Sequence, residues 1–243
     1  MKNKFYAEIF NHSGAWYHRA NQLFPHARDE EFKAALSLLS LEDHSRVLDV
    51  PAGGGYLYDY IGSLVSYSAF DFSTEFAKSR RVKLCSETHI PVDDSYFDTA
   101  VSLASLHHVK DKAHFISELR RSLKTGGQLL IGDVVAGSKE SIFLNGFVND
   151  WNTLGHNGDF LCIDRDVQLL KKIGFTTQTV IKEYHWNFDS EPACHEYLRL
   201  LFALDKTPAE TLLDDAISEL GITKTNAGFH LHWSLGFILA TVT

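Results

Sequence analysis

Short apolar runs bounded by turn residues alternate along the chain with segments whose apolar residues recur every three or four positions. Arg46 to Val50 ("RVLDV"), Tyr67 to Phe72 ("YSAFDF"), Phe97 to Leu103 ("FDTAVSL") and Gln128 to Val135 ("QLLIGDVV") are runs of the first kind and predict strands buried on both faces. Glu31 to Leu39, Tyr56 to Leu64 and Thr74 to Leu84 carry helical spacing. His114 to Leu123 places Phe115, Leu119 and Leu123 on one helical face, and Lys124-Thr125-Gly126-Gly127 then supplies a basic last turn and a glycine stop. Strands alternating with helices imply crossover connections, hence an α/β, doubly wound parallel sheet with helices on both faces.

The rhythm changes after Val135. Residues 136–160 are aromatic and polar by turns and stand where a cap over the sheet's carboxyl edge can be inserted. A helix resumes over Asp164 to Ile173 and stops at Gly174, a strand-like run follows over Thr176 to Phe188, and helical stretches cover Glu191 to Leu204 and Ala209 to Leu220. The chain closes on a β-rich run, Gly228 to Val242, so the last two strands should form an edge pair split by a helical insertion. No repeat or linker-like stretch divides the chain, and 243 residues with 44% hydrophobic content suit one elaborated domain. Its expected parts are an N-terminal helical lid (1–44), a core (45–135), a cap (136–160) and a C-terminal half (161–243) with a helical insertion over 190–225.

Charge narrows the partner. Twenty-three basic against 31 acidic residues give a net charge of −8, which disfavours a phosphate-backbone footprint and argues against nucleic acid. Three scattered cysteines, Cys85, Cys162 and Cys194, form neither a disulfide framework nor a zinc knuckle and suit a reducing cytoplasm. No window has the length and apolarity of a membrane span, so the expected partner is a small molecule.

In open parallel sheets, ligands bind outside the carboxyl ends of the strands. The loop after the first strand reads Asp49-x-Pro51-x-Gly53-x-Gly55, in which Gly53 and Gly55 lack the β-carbon that would hold a ligand away from the backbone. Its PxGxG spacing departs from the dinucleotide pattern GxGxxG, and no Tyr-xxx-Lys pair follows, which argues against a nicotinamide dehydrogenase. Asp71, at the end of the second expected strand, can accept hydrogen bonds from both hydroxyls of an unphosphorylated ribose.

"VLDVPAGGG", "AFDFS", "IPVDDSYFDTAVSLASLHHV" and "ELRRSLKTGGQLLIGD" occur in this order over residues 45–135. In this the chain resembles the class I S-adenosylmethionine-dependent methyltransferases, especially their small-molecule branch. The resemblance implies a Rossmann-like, seven-stranded, mostly parallel sheet with an antiparallel edge strand, an N-terminal helical lid and helical insertions. It implies S-adenosylmethionine as cofactor and S-adenosylhomocysteine as product. By the same resemblance Ala52, Gly53 and Gly55 pass under the methionine part, Asp71 holds the ribose, Phe72 lies against adenine, and Asp49 and Ser73 are further cofactor-binding candidates. Ser86 stands where members most often carry an acidic residue, leaving the adenine contact to Ser86, Glu87 or backbone, and Leu103, Ala104 and Ser105 would line the methionine amino end.

His108 and His107 are the candidate catalytic bases, although adjacent histidines point different ways and many such residues only shape a pocket. Tyr17, Phe147, Trp151 and His156 are candidate contacts to the methyl acceptor, from aromatic segments that resemble the lids of this family; aromatic faces also suit a sulfonium cation. His230 and His232 alternate onto one face of a strand without a completing ligand nearby, so no metal is expected. The reading is methyl transfer to an O, N or C centre of a small, partly apolar metabolite, by a monomer or homodimer. The alternative is the same fold and cofactor serving decarboxylation, cyclisation or rearrangement.

Overall fold

The computed structural model describes residues 5–63, 65–226 and 228–243. The start of the expected lid and the last residue of the helix expected over 56–64 lie outside the described residues.

Among the described residues eight strands form one sheet, in the order β3-β2-β1-β4-β5-β8-β6, with the short β7 pairing to β8. The strands are β1 (Arg46–Asp49), β2 (Ser66–Asp71), β3 (Val82–Leu84), β4 (Phe97–Leu103), β5 (Leu123–Asp133), β6 (Phe175–Phe188), β7 (Ile222–Thr225) and β8 (Gly228–Val242). β1 to β5 pair in parallel, while β8 runs antiparallel to β5, β6 and β7. The central strands read as unbroken apolar runs because successive side chains enter different cores. Val47, Leu130 and Phe237 belong to one cluster, and their neighbours Leu48, Leu129, Ile131 and Ile238 to the other.

The second core is closed by α4 (Lys112–Ser122), through Phe115, Ile116 and Leu119, and by α7 (Ile163–Ile173), through Leu170. Asp111 caps α4 by accepting from the His114 amide at 2.9 Å, and Gly174 ends α7 in the left-handed conformation, φ 100°. The first core is covered by α2 (Asp29–Leu36), α8 (Glu191–Leu201) and α9 (Glu210–Leu220). A short α3 (Tyr58–Ile61) follows the loop after β1. Between β5 and α7 the cap folds as α5 (Lys139–Phe143), a π-helical turn (Leu144–Val148) and α6 (Asn149–Trp151). Among the described residues no helix is long and apolar enough to cross a membrane.

Two expectations are corrected. The helix expected over Thr74 to Leu84 is a single 3-10 turn, Phe76–Lys78, followed by β3, because Val82, Lys83 and Leu84 pair with Ala69, Phe70 and Asp71 at the edge of the sheet. The glycine stop after α4 is not a loop. β5 begins directly at Leu123, opposite Phe97, and Lys124 to Gly127 form an irregularity before Gln128 rejoins the register opposite Thr99, with Gly126 at φ 76°.

Two features put a roof over the carboxyl edge of the sheet. The β6–β8 pair runs on past Gly236, the last β8 residue opposite β5, as a ribbon carrying the stacked Trp186 and Trp233, 4.2 Å apart. α1 (Tyr6–Leu23) buries Tyr6, Ile9, Ser13 and Ala20 at helical spacing and packs against α8 and the Phe76 turn. A β-carbon on its Gly14 would stand 3.0 Å from Glu75 Cγ, so glycine permits this close approach.

Candidate active site

The loop after β1 turns back on the end of β2. The Ala52 amide donates to the Phe70 carbonyl at 2.9 Å and the Gly53 amide to Asp71 Oδ2 at 2.8 Å. Gly53 holds φ 56°, and a β-carbon there would meet no heavy atom within 4 Å. That open space belongs to a cavity bordered by Asp49, Pro51, Ala52, Gly53 and Leu103 to Ser105. Gly55, also at positive φ, faces elsewhere: its β-carbon would press on Val82 at 3.2 Å. Of the two glycines, Gly53 borders the cavity and Gly55 allows the loop to pack on β3.

Asp71 is fully buried. It accepts from the Ser73 amide at 2.7 Å and, across the cleft, from the Tyr6 hydroxyl of α1 at 2.8 Å. Burial pushes its carboxyl up to about 7 against those donors, and burial likewise raises the Asp49 carboxyl to about 7, with the Tyr67 hydroxyl bond opposing and Asp71 adding. Asp49 lines a cavity of about 50 Å³ beside the loop, which Asp71 joins through the Gly53 amide, whereas small-molecule sites usually span about 300–1,000 Å³. In this structure Asp71 Oδ2 is shared by the Gly53 amide and the Tyr6 hydroxyl, so the tyrosine of α1 occupies the carboxylate edge beside the glycine loop.

The other expected cofactor residues are less gathered. Phe72 is buried edge-on between Tyr6 and Phe115. Ser86 closes a small turn with His89, and Glu87 accepts from the Lys110 amide at 3.0 Å, its carboxyl raised by burial. Ser102 and Ser105 share a hydrogen bond at 3.2 Å below Ala104, which holds a left-handed φ of 50° and donates its amide to the Gly132 carbonyl.

A second cavity, of about 90 Å³, shares Phe10, Tyr17, Arg28 and Ala104 with the first. Its far wall combines Trp186 and Trp233 of the ribbon, Leu201 and Phe202 at the end of α8, and three histidines, His107, His108 and His156. Of the candidate acceptor contacts, Tyr17 and His156 line this cavity. Phe147 and Trp151 lie behind it: Phe147 stacks on Phe143, and Trp151 packs on Phe147.

His107 and His108 do not point apart. They sit on one 3-10 turn, Leu106–His108, with rings 4.1 Å apart, and both line this cavity. His107 Nδ1 donates to Asp133 Oδ1 at 2.7 Å and its amide to Asp133 Oδ2 at 2.9 Å, so the carboxylate fixes the tautomer and leaves Nε2 as the basic nitrogen. His108 is held neutral by burial and its histidine neighbours, and burial takes His156 down to about 3, with His107 adding. His230 and His232 lie far along the ribbon, where they meet Asn187 at 2.6 Å and Thr223 at 2.8 Å.

Several residues of this site were not anticipated. Arg28 and Glu31 form a buried ion pair on which Trp186 Nε1 also donates to Glu31, at 2.9 Å. Asp133 had a legible signal, an acid at the end of an apolar strand, which went unused; the tryptophans of β6 and β8 had none beyond their size.

Three comparisons bear on this geometry. Residues 48–131 match the family model described as a methyltransferase domain. A Geobacter ubiquinone/menaquinone biosynthesis C-methyltransferase is 30% identical over 133 residues, 47% of this chain and 57% of the relative, so the chain spans little more than half of that relative's length. A Thermotoga maritima S-adenosylmethionine-dependent methyltransferase superposes with a TM-score of 0.63 at 16% identity, over 97% of this chain and 98% of the other. The [4+2]-cyclase SpnF superposes with a TM-score of 0.53 at 18% identity, over 88% and 80%. At such identities the structures share a fold with this chain.

Proposed function

We propose, from the membership of this chain in the class I S-adenosylmethionine-dependent methyltransferases, that it transfers a methyl group from S-adenosylmethionine to a small, partly apolar acceptor held under α1. The observation that carries this reading is the shared wall: Ala104, Phe10, Tyr17 and Arg28 border both cavities, so a donor over the glycine loop and an acceptor among the aromatics would meet there.

The bound cofactor supplies an electrophilic methyl on a sulfonium; the protein aligns the partners and excludes water. Asp71 accepts the ribose hydroxyls in place of Tyr6, with the Ser73 amide still on its other oxygen. Gly53 and Ala52, with Leu103, Ala104 and Ser105, line one cavity, where they would hold the methionine part and its amino end. Phe72, Ser86 and Glu87, outside the loop cavity, would reach the adenine only once the cleft opens. Tyr17 and the ribbon tryptophans hold the acceptor, and His107 Nε2 takes its proton where one must leave, oriented by Asp133. The free cysteines suit the cytoplasm as its compartment.

Calorimetry with S-adenosylmethionine and S-adenosylhomocysteine tests the donor, and a metabolite screen with labelled methyl donor tests the acceptor. The likeness to SpnF favours a second reading, cyclisation or another non-methylating reaction on the same cofactor. Product mass separates the two, since methylation alone adds a methyl and releases S-adenosylhomocysteine.

A further inference from the structure

His107, His108 and His156 bring three imidazoles to one wall of the acceptor cavity, one ligand nitrogen from each lying within 4.8 Å of the others. Four-coordinate zinc holds imidazole nitrogens at about 2.0–2.1 Å, so rotations and shifts of the order of 1 Å close this set around an ion. Their anchoring points the same way. His107 commits Nδ1 to Asp133 at 2.7 Å, and His156 commits Nδ1 to Asn145 Oδ1 at 3.0 Å, which leaves Nε2 of each ring for another partner. Metal-bound histidines are held in this fashion by a carboxylate or carbonyl on the far nitrogen.

The backbone reinforces the arrangement. The His107 amide donates to Asp133 Oδ2 at 2.9 Å, and the His156 amide to Asn149 Oδ1 at 3.1 Å. The Asp159 amide donates to the His107 carbonyl at 2.9 Å, tying the cap to the turn after β4. Residues nearly fifty positions apart are thus locked into one cluster, more constraint than ring packing on Phe160 alone requires.

We propose that His107, His108 and His156 form a binding site for a borderline divalent cation such as zinc, with its open position toward the acceptor cavity. This replaces the expectation that the chain holds no metal. Three neutral imidazoles and the Asp133 carboxylate leave a divalent ion with net positive charge, so the open position favours an acceptor that presents an ionisable oxygen or sulfur, such as a phenol, enol or thiol. That acceptor class rests on the methyltransferase reading, whereas the ion site does not. With the ion bound, His107 Nε2 serves as a ligand and the ion takes over the activation of the acceptor.

The test is titration of the metal-stripped, full-length protein with cobalt(II), followed by the visible absorption of four-coordinate cobalt and by competition with zinc. One equivalent should bind. His156→Phe should weaken binding at least tenfold, and Asn145→Ala, which leaves all three ligands in place, by a smaller factor. His232→Ala, on the separate ribbon cluster of His185 and His232, should leave it unchanged. Thermal melting checks that each variant is folded. Folded wild-type protein that binds no cobalt, or binding equal in wild type, His156→Phe and Asn145→Ala, would overturn the site. S-adenosylhomocysteine calorimetry on the same metal-stripped samples reports the donor site, so failure of one assignment is distinguishable from failure of the other.

Discussion

The two cavities under α1 share a wall but are built on different principles. The proposed donor side sets two strand-end segments, Asp49 to Gly53 and Leu103 to Ser105, with Asp71 bonded to the Gly53 amide behind them, under side chains of α1, α2 and the Phe76 turn. The acceptor side is a mosaic of side chains drawn from α1, α2, the histidine turn, the cap, α8 and both strands of the ribbon. A backbone cradle constrains which residues can occupy a few consecutive positions, and so leaves a local motif. A mosaic constrains only the size and polarity of scattered residues, and the same wall can be retiled for another acceptor without disturbing the donor loop.

If the two sides are separable in this way, variants should divide between them. The largest effect is expected at Gly53. Gly53→Val puts a branched side chain at φ 56° and into the loop cavity, and should abolish binding of S-adenosylhomocysteine in calorimetry, whereas Pro51→Gly should change affinity by a few-fold at most. Equal losses would show that the loop depends on its proline. On the other side, Glu31→Ala leaves Arg28 buried without its carboxylate and removes the acceptor for Trp186, at an expected cost of about 3–5 kcal/mol in denaturant unfolding. A loss under about 1 kcal/mol would mean that this pair does not organise the acceptor wall.

Asp133→Asn should act on turnover alone. It removes the fixed tautomer of His107, and kcat should fall by about 10²–10⁴ while donor affinity stays within two-fold. A matching drop in donor affinity would join the two cavities into one unit.

The smallest effect is one of pH. The folded-state carboxyl of Asp49 lies near 7, above an unfolded value of about 3.9, so the stability it contributes is full below about pH 4 and is lost as pH rises through 7. Asp49→Asn should therefore melt progressively higher relative to wild type as pH is raised from 5 to 8. A constant difference across that range would place the Asp49 carboxyl in the ordinary range.

Legibility followed the same division. The order of elements was readable wherever a strand is buried on both faces or a helix carries a stripe, as in Phe97–Leu103, Gly228–Val242 and Lys112–Ser122. It failed at Thr74 to Leu84, where apolar spacing compatible with a helix was overridden by pairing to the free edge of β2, a tertiary choice absent from local sequence. In the site, the pairing of Asp71 with the Gly53 loop was legible because an acid at a strand end beside a glycine turn is a local pattern, and the structure joins the two through the Gly53 amide. Tyr6 on Asp71, Glu31 beneath Trp186 and Asn145 behind His156 were not, because each depends on elements that meet only in the folded chain. Phe147 and Trp151 show the converse: aromatic residues in the expected segment that serve packing behind the wall.

The central claim is that Asp71 and the Gly53 loop bind the ribose-bearing methyl donor once Tyr6 withdraws. Calorimetric titration of S-adenosylhomocysteine into wild type, Tyr6→Phe and Asp71→Ala tests it most directly. The account predicts saturable binding to wild type, equal or tighter binding to Tyr6→Phe, which lacks the competing hydroxyl, and at least tenfold weaker binding to folded Asp71→Ala. No heat of binding to folded wild type, or the same affinity in Asp71→Ala, would contradict it.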